Sequence, residues 1–134
     1  MKLITRDTDY AIRAICFMAE HKKEITSVSE LVEKLKIPRP FLRKILQALN
    51  KRGVLVSFKG KSGGFKLKRK PNKIFITDLI EVFQGQLKLN ECIFRKKLCS
   101  SVDRCILRER IGKIEQHVVS ELGLITVASL LNKR

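Results

Sequence analysis

Three cysteines, Cys92, Cys99 and Cys105, lie within the short polar stretch CIFRKKLCSSVDRC. They could bind a metal, form a disulfide or remain reduced and unliganded. Zinc sites favour paired cysteines about two to four residues apart, and these cysteines are farther apart and have no histidine nearby. Three thiolates from one loop suit a larger iron–sulfur cluster. Spacing alone leaves both the cluster and the unliganded thiols open.

The composition indicates a globular chain in a reducing compartment. The chain has 134 residues, 44% of them hydrophobic, enough for one domain with a core or a small domain plus an appended helix. The opening MKLITRDTDY carries charges where a signal peptide needs an apolar run, and no stretch is long and apolar enough to span a membrane. We therefore expect a cytoplasmic protein, in which structural disulfides are disfavoured.

The charge predicts a polyanionic partner. Lysine and arginine number 29 against 13 aspartates and glutamates, a formal net charge of +16. The excess lies in residues 1–75, which hold 19 basic and 6 acidic side chains. Neutralising phosphates releases their counterions and favours binding, although a merely solvated basic surface is the alternative.

The first half of the chain predicts three helices. Residues 8–23 carry an apolar stripe at helical spacing, and Cys16 is expected there as a small buried residue. Ser27 with Glu30 is a capping-box pattern that opens a second helix. Pro38 and Pro40 end that helix, and the next one has its own apolar face and a basic exposed face. This is a helix-turn-helix pattern, for which a simple αα-hairpin is the alternative.

The next segment, VLVSFKGKSGGFKLKRK, predicts a β-hairpin. Val54, Val56 and Phe58 alternate on one strand and Phe65 and Leu67 on the other, with a glycine-rich tip between them. A nucleotide-binding loop is disfavoured, because no helix follows and the P-loop spacing is absent. We therefore predict a mainly α fold with a small β-hairpin wing, that is, a winged helix-turn-helix domain.

Helical segments also fill the second half. A short helix, ITDLIEVFQG, is predicted to be capped by Thr77 and ended by Gly85. Residues 103–122 form one long helix whose narrow stripe is typical of a coiled-coil seam, so it favours burial against a partner chain over packing on its own chain. A short last helix follows at TVASLL. The predicted dimer-interface stripe consists of Leu107, Ile111, Ile114, Val118 and Leu122.

The predicted organisation has three parts. A winged helix-turn-helix DNA-binding domain covers residues 1–85, a cysteine-bearing loop covers 86–105, and the dimerisation helix with the short last helix covers 106–134.

Together these features resemble the Rrf-type winged helix-turn-helix regulators of the IscR and NsrR kind. The resemblance covers nearly the whole chain and includes the opening MKLITRDTDYAIRAICFMA, the helix pair, the wing KGKSGGFKL and the three cysteines. It implies a homodimer that binds palindromic double-stranded DNA and carries an iron–sulfur cluster, a 4Fe–4S cluster being favoured and a 2Fe–2S cluster open.

The resemblance also implies the ligands of that cluster. Cys92, Cys99 and Cys105 match the three ligating cysteines of the cluster-bearing members. The IscR-like pattern adds a histidine where this chain has Arg108, which cannot ligate. The NsrR-like pattern adds an aspartate from the partner subunit, which matches Asp9, with Asp7 as a weaker candidate. The alternative for Asp9 is a first-turn residue favoured by the helix dipole.

The DNA contacts are expected from the third helix and the wing. Arg39 and Arg43 are the candidates for guanine edges, and Pro40 for shape contact. Phosphate or groove contacts are expected from the remaining candidates. These are Ser27, Lys44, Lys59, Lys61, Ser62, Gly63 and Gly64.

The sequence therefore predicts a homodimeric transcriptional regulator, with repression expected, controlled by a cluster that senses nitric oxide, redox or iron–sulfur status. No membrane or small-molecule substrate is expected. The alternatives are a cluster-free regulator that senses oxidants through its thiols and a basic RNA-associated protein. An enzyme is disfavoured, because no nucleophile–base or cofactor motif is present.

Overall fold

A computed structural model of the chain describes residues 2–22, 24–89 and 105–132. The fold is mainly α with one two-stranded antiparallel hairpin, as predicted. In chain order the elements are α1 (Arg6–His21), α2 (Val28–Leu35), α3 (Arg39–Lys51), β1 (Leu55–Phe58), β2 (Gly64–Leu67), a 3-10 helix (Pro71–Lys73), α4 (Ile76–Gln84), α5 (Ile106–Leu122) and α6 (Val127–Leu131).

Helix α1 is the centre of the fold. It packs against α2, α3, α4, α6 and β2. The stripe predicted from its sequence is buried in full and consists of Ala11, Ala14, Ile15, Met18 and Ala19. Because three of these five side chains are alanine, neighbouring helices can approach the α1 backbone closely. The helix ends at His21, and Lys22 then takes a left-handed conformation with φ of 50°.

The helix-turn-helix forms as the sequence predicts. The Ser27 hydroxyl accepts a hydrogen bond from the Glu30 N–H at 3.1 Å and caps α2. Helix α2 ends at Leu35, and Pro38 immediately precedes α3. The predicted stripe of α3 is buried and consists of Leu42, Ile45, Leu46 and Leu49. Its opposite face is exposed, so basic side chains there can meet a partner.

The wing differs in register from the predicted alternation. The pairing places Leu55 opposite Leu67 and Ser57 opposite Phe65. Val54 precedes the strand, and its N–H donates to the Leu49 carbonyl at 3.0 Å as the chain leaves α3. As a result Val54 and Leu55 are buried consecutively and Phe58 is 41% exposed. Val54, Val56 and Phe58 were predicted to alternate along one strand, but Val54 precedes β1, because its N–H is used in the turn after α3.

A third segment extends the hairpin. Thr26 exchanges two backbone hydrogen bonds with Phe65, at 2.9 and 2.8 Å. Thr26 is itself buried and lies one residue before the Ser27 cap. The wing is therefore fastened by main-chain bonds to the start of the helix-turn-helix, which sets the position of the wing relative to α3.

The C-terminal segment returns to the same core. Thr77 was predicted to cap α4, but the cap is Phe75, whose N–H donates to the Asp78 carboxylate at 3.4 Å; Gly85 ends the helix as predicted. Val127 of α6 is fully buried, and its N–H donates to the Ile74 carbonyl at 2.9 Å. Part of the predicted C-terminal region thus packs on α1, and the three-part division of the chain stays a prediction.

A buried polar contact joins the two ends of the winged domain. Thr8 is fully buried, and its hydroxyl donates to the Gln84 side-chain oxygen at 2.7 Å. The Thr5 N–H donates to the same oxygen at 3.0 Å, and the Gln84 amide donates to the Leu3 carbonyl at 3.1 Å. Because buried polar groups cost free energy when unpaired, this contact fixes the start of α1 against the end of α4.

We predict that Gly64→Ala destabilises the fold by about 2–4 kcal/mol, because a Cβ at this position overlaps the Thr26 carbonyl and must disrupt the bridge to Phe65. Urea unfolding at fixed protein concentration measures the change. The control is Ser62→Ala at the exposed tip of the wing, expected within about 0.5 kcal/mol of the wild type. Equal midpoints for the two variants would contradict the close-packing role of Gly64.

Candidate DNA-binding surface and cysteine site

The start of α3 presents the predicted base-reading side chains to solvent. Arg39, Pro40, Arg43 and Lys44 are all exposed. Arg39 is also positioned, since its guanidinium donates to the Ser29 hydroxyl of α2 at 3.0 Å. The structure therefore brings four of the predicted DNA-contacting residues together within the first two turns of one helix.

The wing adds a second group of exposed polar side chains. Lys59, Lys61 and Ser62 are exposed around its tip. Gly63 and Gly64 are less exposed, and a Cβ on either would overlap backbone atoms of the wing or of Thr26. The structure thus gives both glycines a packing reason that is independent of DNA. Their predicted contact with a DNA groove stays a prediction.

Ser27 has a defined role inside the protein. Its hydroxyl oxygen accepts the Glu30 N–H, and its side chain is half-buried. Capping fixes the α2 start next to the bridge between Thr26 and the wing. A hydroxyl that accepts one bond can still donate its own hydrogen, so a phosphate contact from Ser27 is compatible with the cap.

Two aromatic side chains are exposed beside the predicted DNA contacts, which the sequence did not predict. Phe41 and Phe58 are exposed, and they lie on α3 and the wing beside the predicted DNA contacts. The Arg6 guanidinium lies over the Phe41 ring, 4.5 Å from its centroid. No sequence pattern signals this contact, because the two residues belong to different helices and are far apart in the chain.

The cysteine site falls only partly on described residues. Cys92 and Cys99 lie outside them. Cys105 is the N-cap of α5, and its sulfur accepts a hydrogen bond from the Arg108 N–H at 3.4 Å. Within residues 2–22, 24–89 and 105–132, no group of three or more histidine, cysteine or acidic side chains could hold a metal ion. The three-cysteine ligand set stays a prediction.

The predicted fourth ligand, Asp9, lies in the first turn of α1. Its carboxylate pairs with the Arg13 Nε at 3.0 Å, one helical turn along. Both side chains are about half exposed, so the ion pair contributes little stability. The ligand role of Asp9 stays a prediction, and Arg13 is its partner within one chain. The weaker candidate, Asp7, pairs with Arg6 at 3.6 Å.

The remaining cysteine, Cys16, lies in the first helix. Cys16 is half-buried within α1 and packs against the core. Burial raises the pKa of its thiol, and the neighbouring Glu20 carboxylate raises that pKa further. Since the thiolate is the reactive form, the raised pKa disfavours reaction at Cys16.

The predicted stripe of α5 is only partly exposed in the described part of the chain. Leu107 is 67% exposed and Ile114 is 53% exposed, while Ile111, Val118 and Leu122 are half-buried. None of the residues of α5 is buried. The Leu89 N–H donates to the Glu115 carboxylate at 3.0 Å, which ties α5 to the segment after α4. Whether this stripe forms a dimer interface stays a prediction.

None of the helices in the described part of the chain is long and apolar enough to cross a membrane.

The helix-turn-helix, the hairpin fastened to it and the basic exposed start of α3 define a winged-helix regulator. Residues 4–133 match the model of the Rrf2 family, described as iron-dependent transcriptional regulators. The chain belongs to the Rrf2 family of transcriptional regulators.

Individual relatives agree with this assignment. A protein of Aquifex aeolicus, described as an HTH-type transcriptional regulator, is 34% identical over 125 residues, 92% of this chain and 87% of its own. CymR, the global cysteine regulator of B. subtilis, superposes with a TM-score of 0.79 at 22% identity over 98% of this chain and 97% of its own. T. potens IscR superposes with a TM-score of 0.75 at 24% identity over 98% of this chain and 86% of its own. At these identities the two structures support the fold.

We predict that Cys105 is alkylated faster than Cys16 by iodoacetamide at neutral pH. Because the pKa of Cys16 is raised, its thiolate fraction is small at pH 7 and its rate should keep increasing as pH rises above the usual thiol range. Peptide mass mapping of iron-free, reduced protein over a pH series measures both rates. Cys16→Ala serves as the assignment control. A Cys16 rate equal to that of Cys105 at pH 7 would contradict this picture.

Proposed function

We propose that the chain is a homodimeric, DNA-binding transcriptional repressor whose affinity for a palindromic operator depends on the state of Cys92, Cys99 and Cys105. The observation that carries the DNA-binding part is the exposed basic start of α3 next to an exposed basic wing. Winged-helix proteins insert such a helix into the major groove, while phosphate contacts from flanking elements set its register.

The charge of the protein favours the same partner. The formal net charge is +16, and most of the excess of basic side chains lies in residues 1–75, the part of the chain that contains α3 and the wing. Each neutralised phosphate releases counterions, so affinity should fall steeply as salt rises. Base-specific contacts from Arg39 and Arg43 then distinguish one sequence from another.

Dimerisation is the second part of the proposal. The exposed Leu107 and Ile114 of α5 support it, since burying large aliphatic side chains stabilises an interface by about 1.5–3 kcal/mol for each full burial. Two reading helices related by two-fold symmetry would then meet half-sites about 34 Å apart. A palindromic operator follows from that symmetry.

Regulation through the cysteines is the third part. Cys105 lies at the N-terminus of α5, where the helix dipole favours a negatively charged ligand. With Cys92 and Cys99 it would hold an iron–sulfur cluster, and Asp9 of the partner is the candidate fourth ligand. The Asp9–Arg13 pair is worth only about 0.3–0.5 kcal/mol, so giving it up for a metal is inexpensive. When bound, the cluster supplies a redox-active centre that can be lost or modified.

A cluster-free thiol sensor is the second candidate. Arg108 stands where the IscR-like pattern has a histidine, so one ligand of that pattern is absent. Cys105 is a free, half-buried thiol in the described part of the chain. In this case oxidation of Cys105 with Cys92 or Cys99, rather than loss of a cluster, would change the arrangement around the start of α5.

We predict that Arg43→Ala relaxes sequence preference, at a cost of about 1–3 kcal/mol on the preferred site, whereas Lys61→Ala weakens binding to every sequence and lowers the salt slope by about 1. Selection from a random duplex pool, followed by titrations at several salt concentrations, measures both effects. If Arg43→Ala selects the same motif with the same stringency, the placement of α3 in the groove is wrong. A structured RNA competitor tests the RNA-associated alternative.

We predict that protein purified without oxygen contains iron and acid-labile sulfide and absorbs visible light, and that Cys99→Ala loses all three. Cys16→Ala is the matched control and should retain all three properties, because Cys16 lies within α1 and is not one of the three proposed cysteine ligands. Operator affinity should differ by about 5- to 150-fold between the holo and apo forms. Colourless protein that resists reconstitution, yet changes affinity on thiol oxidation, would overturn the cluster and favour the thiol sensor.

A further inference from the structure

A cation outside the helix-turn-helix and the wing lies against the start of α3. The Arg6 guanidinium carbon is 4.5 Å from the centroid of the Phe41 ring. Phe41 is 40% exposed and lies between Pro40 and the buried Leu42, in the first turn of α3. The Arg6 side chain is 59% exposed, so the contact leaves the charge in water.

The geometry of this contact leaves the arginine able to bind a ligand. A guanidinium carries five N–H donors, and contact with one ring does not use all of them. The Oδ1 atom of Asp7 lies 3.6 Å from the Nε atom of Arg6, so this carboxylate can engage only some of the N–H donors of the guanidinium. Planar arginine donors match the oxygen pairs of a phosphate group.

The backbone that carries Arg6 is fixed relative to the core. Thr5, the residue before it, donates its N–H to Gln84, and Thr8, two residues after it, donates its hydroxyl to the same oxygen. Phe41 in turn is placed by α3, whose buried stripe begins at Leu42. Both partners of the contact are thus held by buried anchors, and less side-chain entropy remains to be lost on binding.

We propose that Arg6 binds a phosphate of the DNA backbone beside the groove that α3 enters, with Phe41 as the platform that orients it. The inference rests on the proposed function, because it needs duplex DNA against the start of α3. It assigns to α1 a contact that neither the helix-turn-helix nor the wing supplies. Phe41 is a positioning residue here, acting through the arginine.

Fluorescence anisotropy with a labelled 30-base-pair duplex of random sequence tests the proposal across a series of KCl concentrations. Arg6→Gln should weaken binding and reduce the slope of log K against log salt by about 0.9 per bound chain. Lys73→Gln, which removes one exposed cation from the 3-10 helix that packs on α6, is the control and should leave the slope nearly unchanged. Circular dichroism melts verify that each variant is folded.

The platform role of Phe41 has its own readout. Phe41→Leu should weaken binding about two- to five-fold with the salt slope unchanged, because the charge remains while its orientation is lost. The same substitution should have no further effect in an Arg6→Gln background. Arg6→Lys retains the charge and should resemble Phe41→Leu, which keeps the test valid even if Arg6→Gln is poorly folded.

The possible results separate this inference from the proposed function. A wild-type protein with no salt-dependent duplex binding overturns both. A wild type that binds, with an Arg6→Gln slope no different from that of Lys73→Gln, overturns the inference alone. If Phe41→Leu costs as much in the Arg6→Gln background as in the wild type, Phe41 contacts the duplex independently and the platform role is wrong.

Discussion

The burial of one face of α1 is the constraint on which the rest of the structure depends. Its stripe is mostly alanine, and α2, α3, α4, α6 and β2 all pack against this helix. Close packing of this kind is sensitive to a single added methylene, so the mutual positions of these elements are narrowly defined. The reading helix therefore takes its position from a helix that itself carries no predicted base contact.

Much of this could be predicted from the sequence, and the reasons are physical. The stripes of α1 and α3 follow a strict helical period, so Ile15 and Leu46 could be placed in the core directly. The wing register could not, because Val54 continues the apolar run while its N–H is used in the turn after α3. Periodicity does not distinguish a strand residue from an apolar turn residue next to it.

The candidate site, like the fold, could be predicted from the sequence only in part. Exposure of Arg43 and Lys61 follows from their places opposite an apolar stripe and at a glycine-rich tip. The contacts of Arg6 with Phe41 and of Thr8 with Gln84 join residues distant in sequence, so no local pattern predicts them. A buried threonine within an apolar stripe signals only that some acceptor must exist, and the fold alone identifies which one.

The start of α1 is where the two halves of the proposed function meet. Gln84 is the last residue of α4, and the chain runs from it through Gly85 towards the cysteines, while its side chain holds Thr5 and Thr8. Arg6, between those two threonines, contacts Phe41 at the start of α3. Asp9 lies one turn further along the same helix. A change in the cysteine-bearing segment that displaced Gln84 would therefore act on the DNA-facing helix through these hydrogen bonds and one ring contact. Because each of these contacts is worth only about 0.5–3 kcal/mol, their making and breaking matches the size of a typical regulatory coupling.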